Sequence, residues 1–247
     1  MIQNGYTEKI NVKYSEVEHN HAMKPYALLN FLQDIASKNA EDGGFGYSSL
    51  YPRGYAWFLI KYRMEFEKYP FGVGEYELTT EPRGYNKLFA FREFSLAKEG
   101  QLLARMYSQW AVADFKSRSM IPVADVVSGN KYMVPHVKRE DDLNFSKIRQ
   151  INNVDYEKAF EVRYNDLDIN GHANNGNYII WAFEPLNFEF RNARQIKTID
   201  MVYKKEAVFG ETVISQIELK DDYTTLHTIK NSSGEDLCQV ECTWINN

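Results

Sequence analysis

Apolar and polar positions along the chain form two copies of one arrangement. In each copy, a segment with apolar residues at helical spacing precedes four segments in which apolar and polar residues alternate. The first helix is predicted over residues 25–40, with Pro25 in its first turn. The second should be capped by Asn174 and Asn175 and should kink or end at Pro185. Strands grouped around one long helix in each copy predict an α+β fold.

The alternating segments predict two antiparallel meanders. They cover residues 55–66, 74–83, 88–98 and 102–114 in the first copy, and 195–203, 211–220, 224–230 and 236–244 in the second. Between the copies lies a polar, charged and weakly periodic stretch, which we interpret as a linker. The predicted organisation is an N-terminal domain over residues 1–120, a linker over 121–156 and a C-terminal domain over 157–247.

The two copies differ where their chemistry matters. Residues 12–20 and 162–170 match in type at nearly every position, which indicates an internal duplication. Aligned without gaps, Glu18 stands in the place of Asp168, and Ala22 stands in the place of His172. We interpret the first copy as one that kept the fold and lost a site.

Charge and cysteine content narrow the possible functions. The net charge of -5 argues against nucleic acid as a partner, and an acidic partner protein would need a local basic patch. Cys238 and Cys242 would lie roughly 13 Å apart on one strand, too far for a disulfide. We interpret them as reduced core residues. With a polar N-terminus and no long apolar run, the expectation is a soluble, cytoplasmic protein without a membrane span or a metal site.

The densest polar cluster covers residues 164–178, at the junction of a predicted strand and the second helix. The N–H groups at a helix start can stabilise negative charge on a carbonyl oxygen, and Asp168 and His172 could position or activate a water molecule. Asx residues and glycines also occur in ordinary capping turns. We therefore interpret Asp166, Asn174 and Asn175 as more structural than catalytic and treat Asp168, Asn170 and His172 as the candidate functional set.

Residues 166–175, followed by Tyr178, Trp181 and Glu184, resemble the signature of hotdog thioesterases. The stretch 168–172 is similar to the active-site segment of plant and bacterial acyl-acyl carrier protein (acyl-ACP) thioesterases, and the resemblance covers nearly the whole chain. It implies a tandem hotdog fold, in which each half is a long central helix wrapped by an antiparallel sheet. It also implies hydrolysis of fatty acyl-ACP, which releases free fatty acid and terminates fatty acid synthesis, without a cofactor.

The family resemblance implies four catalytic residues, which are Asp168, Asn170, His172 and Glu206. Glu206 is expected in the strand after the second helix, either as a general base for water or as the attacking carboxylate. Without the resemblance, it would be taken for a surface glutamate beside two lysines. A cysteine often follows this glutamate in the plant enzymes, but here the residue is Ala207. That departure favours activated water over a covalent acyl-cysteine.

Substrate contacts are predicted in both halves. The acyl chain is expected in an apolar tunnel in the first half, although each lining residue taken singly could equally be plain core. The predicted lining is Leu28, Leu32, Ile35, Trp57, Leu59 and Phe91. Asn174, Asn175 and Gly176 are assigned to substrate binding at the helix start, where backbone N–H groups would receive the oxyanion. The predicted patch for the acidic carrier protein is Lys116, Arg118, Lys204 and Lys205.

Two other functions stay open on sequence alone. An acyl-CoA thioesterase would use the same fold and the same chemistry. A non-catalytic acyl-binding module would hold a ligand without turnover, although the intact catalytic set argues against it. The sequence leaves monomer and homodimer equally open, because a double hotdog already contains the two halves that single-hotdog proteins supply as a dimer.

Overall fold

A computed structural model of the chain describes residue 2 and residues 5–117 and 119–247. It contains one large antiparallel sheet. The strands are β1 (Tyr6–Val12), β2 (Tyr55–Phe66), β3 (Gly74–Tyr85), β4 (Phe89–Lys98), β5 (Gln101–Asp114), β6 (Met120–Ile121), β7 (Tyr156–Glu161), β8 (Arg194–Tyr203), β9 (Thr212–Asp221), β10 (Thr224–Asn231) and β11 (Asp236–Asn246). The eight segments predicted from alternation all form strands, with ends shifted by a residue or two.

The described residues form the two predicted helices and three shorter ones that were not predicted. They are α1 (Pro25–Asp42), α2 (Tyr47–Leu50), α3 (Val123–Val127), α4 (Asn175–Phe183) and α5 (Phe188–Asn192). Pro25 occupies the first turn of α1, Asn174 caps α4, and α4 ends two residues before Pro185. Among the described residues, none of these helices is both long enough and apolar enough to cross a lipid bilayer.

The sheet repeats one strand order in two halves. Its order is β1-β3-β4-β5-β2-β8-β11-β10-β9-β7, with β6 paired to β5, so the second five strands mirror the first five. The halves join where β2 pairs with β8, from Lys61 opposite Val202 to Glu65 opposite Thr198. One sheet therefore runs through both halves.

The loops that precede α1 and α4 share most of their backbone hydrogen bonds. Val17 bridges Met23 in the first half, and Leu167 bridges Ala173 in the second. This confirms the internal duplication, with each residue of the first loop corresponding to the residue 150 positions later.

The segments that follow β2 and β8 match in the same way. The N–H of Met23 donates to the carbonyl of Pro70, just as that of Ala173 donates to Ala207. Pro70 is therefore the counterpart of Ala207, and Tyr69 is the counterpart of Glu206.

Helices α1 and α4 lie against each other on one face of the sheet. A Cβ at Gly176 would come within 2.9 Å of Asn30 and Tyr26 on α1, so glycine permits this close crossing. The main core fills the space between the helices and the sheet. Both cysteines lie in that core on β11 as free thiols, as predicted, and burial raises the pKa of each.

The segment between the halves is held against the opposite face of the first half by charge. Arg83 of β3 forms ion pairs with Glu93 of β4 at 2.5 Å and with Asp142 at 2.7 Å. Arg139 pairs with Glu81 at 3.1 Å. Because Arg83 and Asp142 are almost fully buried, this segment is packed onto the sheet and is not a free tether.

His227 on β10 makes stability depend on pH. It is buried between the carbonyl of Ala182 and the hydroxyl of Thr225, and burial lowers its pKa to about 4. Between that value and about 6.5 the unfolded chain binds a proton that the folded chain excludes, so stability falls as pH falls. We expect His227 to contribute a loss of up to about 3 kcal/mol in unfolding free energy across this window.

Urea unfolding of the wild type and of His227→Gln at neutral pH and near pH 4.5 measures this contribution. The variant should lose less stability on acidification than the wild type does. An equal loss in the two proteins would assign the acid sensitivity to other groups.

Candidate active site

The largest cavity that contains the candidate residues opens where the two halves part. The pairing of β2 with β8 ends at Lys61 and Val202. From there toward its start at Tyr55, β2 stays paired with β5, whereas the chain that follows β8 leaves the sheet. A pocket of about 530 Å³ lies between these diverging segments and the start of α4. Its lining includes all four predicted catalytic residues, Asp168, Asn170, His172 and Glu206.

Asp168 organises the loop before α4. Its carboxylate accepts hydrogen bonds from the backbone N–H of Asn170 at 2.8 Å and of His172 at 3.3 Å. It also accepts one from the side-chain amide of Asn170 at 3.4 Å. Gly171 has a φ of +79°, in the left-handed region that favours glycine. The spacing of this motif is therefore the spacing of one tight turn.

His172 and Glu206 meet across the pocket. The Nδ1 atom of His172 lies 3.4 Å from Oε1 of Glu206, and their side chains are 21% and 33% exposed. The neighbouring lysines point elsewhere, since Lys204 pairs with Asp236 at 2.8 Å and Lys205 pairs with Glu235. Glu206 therefore faces the histidine, which disfavours its alternative interpretation as an ordinary surface residue.

One expectation about Glu206 is corrected. It does not lie within a strand, because β8 ends at Tyr203 and residues 204–207 form an irregular segment. The last residue of β8 paired with β11 is Tyr203, opposite Cys238. Leaving the sheet at this point lets the chain turn its carboxylate toward α4.

The start of α4 uses its N–H groups differently from the prediction. The side-chain oxygen of Asn174 accepts a hydrogen bond from the N–H of Gly176 at 2.8 Å. The backbone carbonyl of Asn174 accepts one from the N–H of Asn177 at 2.9 Å. The N–H of Gly176 is thus already engaged, and neither Asn174 nor Gly176 is among the residues that line the pocket. Asn175, the first residue of the helix, does line it.

A second, smaller cavity lies in the first half, next to the pocket that contains the candidate catalytic residues. Its volume is about 80 Å³, and its wall is mostly apolar, with Ala36, Ala40, Phe45, Trp57, Ala90, Phe91, Trp110 and Met133 among the lining residues. Trp57 belongs to the walls of both cavities, and Leu59 belongs to that of the larger one. Of the predicted acyl-chain contacts, Trp57, Leu59 and Phe91 therefore line a cavity.

The other three predicted contacts lie elsewhere. Leu28, Leu32 and Ile35 are in the main core, each at most 2% exposed, and are not among the residues lining either cavity. Ala36 and Ala40 on the same helix line the smaller cavity instead, because short side chains one turn apart leave space. That alanine pair was the available signal in the sequence.

Arg92 was not anticipated from the sequence. It is buried at the wall of the smaller cavity and donates to Asn39 at 2.8 Å and to Thr80 at 3.0 Å. Burial beside neutral partners lowers its pKa to about 10, so the guanidinium is still charged at neutral pH. The lining of the apolar cavity therefore includes one positively charged side chain, that of Arg92.

Three of the four residues predicted to meet the carrier protein lie in the described part of the chain, at the pocket lining or next to it in sequence. Lys204 and Lys205 line the pocket, although acidic neighbours share their charge. Lys116 is exposed, directly after Phe115, which lines the pocket. Arg118 lies outside the described residues.

Comparison with known proteins identifies the family. The model for the N-terminal domain of acyl-ACP thioesterases matches residues 3–129, and the model for the C-terminal domain matches residues 149–246. A chloroplastic acyl-(acyl-carrier-protein) hydrolase of Cuphea viscosissima is 23% identical over 83% of this chain and 53% of its own length. A chloroplastic oleoyl-acyl carrier protein thioesterase of Arabidopsis thaliana is 24% identical over 90% of this chain and 63% of its own length. The chain thus spans between about half and two thirds of these curated relatives.

Solved structures share the fold along nearly the whole chain. An acyl-ACP thioesterase from Bacteroides thetaiotaomicron aligns with a TM-score of 0.86 at 22% identity, covering 98% of both chains. The 12:0-ACP thioesterase of Umbellularia californica aligns with a TM-score of 0.86 at 18% identity, covering 100% of both. These matches confirm the tandem hotdog fold. Because the two domain models match consecutive parts of the duplicated chain and together cover most of it, the protein belongs to the acyl-ACP thioesterase family.

Proposed function

We propose that this protein hydrolyses the thioester of fatty acyl-ACP and releases free fatty acid, which ends synthesis of that chain. The observation that carries the proposal is the approach of His172 to Glu206, 3.4 Å apart, in a pocket beside an apolar cavity. A carboxylate and an imidazole this close together can act jointly on a water molecule that binds beside them in the pocket, where the carboxylate can take its proton. Family membership supports the choice of a thioester as the bond that is broken.

Water is the proposed nucleophile. Glu206 accepts a proton as the water oxygen attacks the thioester carbonyl, the C–S bond breaks, and the proton passes to the departing thiolate of the carrier's pantetheine arm. His172 and Asn170 orient the water and the thioester, and Asp168 holds the turn that carries them. Ala207 beside Glu206 and the buried positions of both cysteines support water over a thiolate nucleophile.

The proposed oxyanion donor is the backbone N–H of Asn175. The N–H groups at the start of a helix lack partners within it, and those of Gly176 and Asn177 are engaged by Asn174. Asn175 lines the pocket, so its N–H is the candidate at the reacting carbonyl. The counterpart in the first half is Pro25, which has no N–H. The half without the catalytic histidine therefore also lacks this donor.

We further propose that residues 1–120 bind the acyl chain, that residues 157–247 carry catalysis, and that residues 121–156 connect them. The smaller cavity supports this division, because all of its lining residues except Met133 belong to residues 1–120 and it shares Trp57 with the catalytic pocket. A chain attached at the thioester would pass Trp57 to reach it. Lys116, Arg118, Lys204 and Lys205 are proposed to meet the acidic carrier, and such charges mainly raise the association rate.

Thiol release from matched acyl-ACP and acyl-CoA substrates tests the proposal. We expect kcat/KM for the carrier substrate to be at least about tenfold higher, or roughly 1.4 kcal/mol of preference. Turnover of the CoA substrates alone would identify an acyl-CoA thioesterase. Binding of acyl chains without release from either donor would identify an acyl-binding protein.

A further inference from the structure

The hydroxyl of Tyr178 holds both neighbours of Glu206. It accepts a hydrogen bond from the backbone N–H of Ala207 at 2.8 Å and lies 3.4 Å from the carbonyl of Lys205, to which it donates. The tyrosine is 2% exposed, and burial raises the pKa of its phenol, so the proton needed for donation stays in place. One side chain on α4 thus forms hydrogen bonds to the backbone on both sides of the catalytic carboxylate.

Residues 205–207 need these hydrogen bonds because they follow the end of β8 and lie outside its pairing with β11. The N–H groups of Lys204 and Lys205 still reach the carbonyl of Leu237, and the carbonyl of Ala207 receives the N–H of Ala173. The N–H of Ala207 itself is bonded to the Tyr178 hydroxyl. A buried N–H without a partner costs about 1–3 kcal/mol, so removing the hydroxyl would favour a rearranged segment.

The duplicated half provides an internal comparison. The counterpart of Tyr178 is Leu28, which has no hydroxyl, and the counterpart of Ala207 is Pro70, which has no N–H. Both partners of the hydrogen bond are therefore missing in the half where Tyr69 stands in place of Glu206. Core packing explains a large apolar side chain at this helix position in either half. It does not explain why the hydroxyl and its donor occur only beside the glutamate.

We propose that Tyr178 is a positioning residue for catalysis, whose hydroxyl fixes the backbone of residues 205–207 and so holds the Glu206 carboxylate against His172. The proposal rests on the proposed function. It assigns Tyr178 no contact with the reacting atoms. A catalytic group displaced by about 1 Å can cost on the order of 100-fold in rate.

The test compares Tyr178→Phe, Ala207→Pro and the double variant by steady-state kinetics on acyl-ACP. Ala207→Pro removes the N–H donor and leaves the tyrosine in place, and the fold accepts proline at the counterpart position. Tyr69→Phe is the matched control, since it deletes an equally buried hydroxyl that donates to the carbonyl of Met23 at 2.9 Å. Wild type and Glu206→Gln are measured beside them.

Tyr178 lines the pocket, but its hydroxyl is engaged by the backbone of Ala207 and Lys205. We therefore expect each single variant to lower kcat by roughly 10- to 100-fold with KM within about twofold. The double variant should lose no more than the worse single one, since both remove the same bond. Tyr69→Phe should keep wild-type kcat. If Tyr178→Phe does not fold, as judged by circular dichroism and thermal unfolding, the Ala207→Pro result decides alone.

Other results would overturn the assignment. Wild-type kcat in Tyr178→Phe or Ala207→Pro, while Glu206→Gln is inactive, would show that catalysis does not need the hydrogen bond between Ala207 and Tyr178. Equal losses in Tyr178→Phe and Tyr69→Phe would show a general effect of buried hydroxyls. Absence of turnover in the wild type is a separate outcome, which would reject the proposed function on which the assignment rests.

Discussion

Replacing Glu206 with glutamine should lower kcat for acyl-ACP hydrolysis by about 10²- to 10⁴-fold, the usual contribution of a general base. Glutamine has nearly the same shape and can still contact His172, but it cannot accept a proton from water. Affinity for the carrier and the acyl chain should change little, so KM should stay within about twofold. The measurement is steady-state thiol release from a saturating acyl-ACP substrate, with folding checked by thermal unfolding.

Glu157→Gln is the control for a glutamate-to-glutamine change, because Glu157 is exposed on β7 and remote from the pocket lining. It should retain wild-type kcat. His172→Ala should produce a loss comparable with that of Glu206→Gln, and the double variant should lose little more, since the two groups act on one water molecule. Full turnover by Glu206→Gln would refute the assignment of Glu206 as the base.

Replacing Asp142 with alanine should lower the free energy of unfolding by about 3 kcal/mol, the lower end for breaking a buried ion pair, because the Arg83 guanidinium loses one carboxylate partner and keeps Glu93. Arg83 and Asp142 have side chains only 2% and 3% exposed and lie 2.7 Å apart. The loss would act where residues 121–156 are packed onto the sheet of the first half. Urea unfolding near neutral pH measures the change directly.

Two variants separate charge burial from simple loss of a side chain. Glu140→Ala removes an exposed acid two positions away and should change the unfolding free energy by less than about 1 kcal/mol. Arg83→Met combined with Asp142→Leu removes both charges together. The buried Glu93 then keeps its ion pair with Arg105 at 2.8 Å, so the double variant should be less destabilising than Asp142→Ala alone. A change below about 1 kcal/mol for Asp142→Ala would mean that water reaches Arg83 and compensates its charge.

Helices α1 and α4 and the eight meander strands could be predicted because their signals are local. The apolar spacing of residues 25–40 and the alternation of the eight strand segments depend only on near neighbours along the chain. The same holds for Asp168, Asn170 and His172, which belong to one turn closed by the Asp168 carboxylate. Duplication of the motif was also readable, since Glu18 and Ala22 stand at fixed offsets from the second copy.

Glu206 marks the limit of that local information. Its neighbours in sequence are lysines, and only the family resemblance distinguished it from a surface residue. Its contact with His172 exists because β8 ends and the chain leaves the sheet beside α4. A sequence pattern shows which face a strand residue occupies, but it does not show where strand pairing stops.

By itself, the sequence determined the two-copy architecture, the turn that contains Asp168, Asn170 and His172, and the absence of that histidine from the first copy. Only the tertiary structure decided which apolar residues line a cavity, with Ala36 and Ala40 on the wall and Leu28, Leu32 and Ile35 in the core. It also decided that the N–H of Gly176 donates to the side chain of Asn174 and that the N–H of Ala207, next to Glu206, donates to the hydroxyl of Tyr178. The physical reason is that cavity walls and hydrogen-bond partners depend on the relative placement of segments far apart in the chain, which packing of the whole sheet against both helices sets.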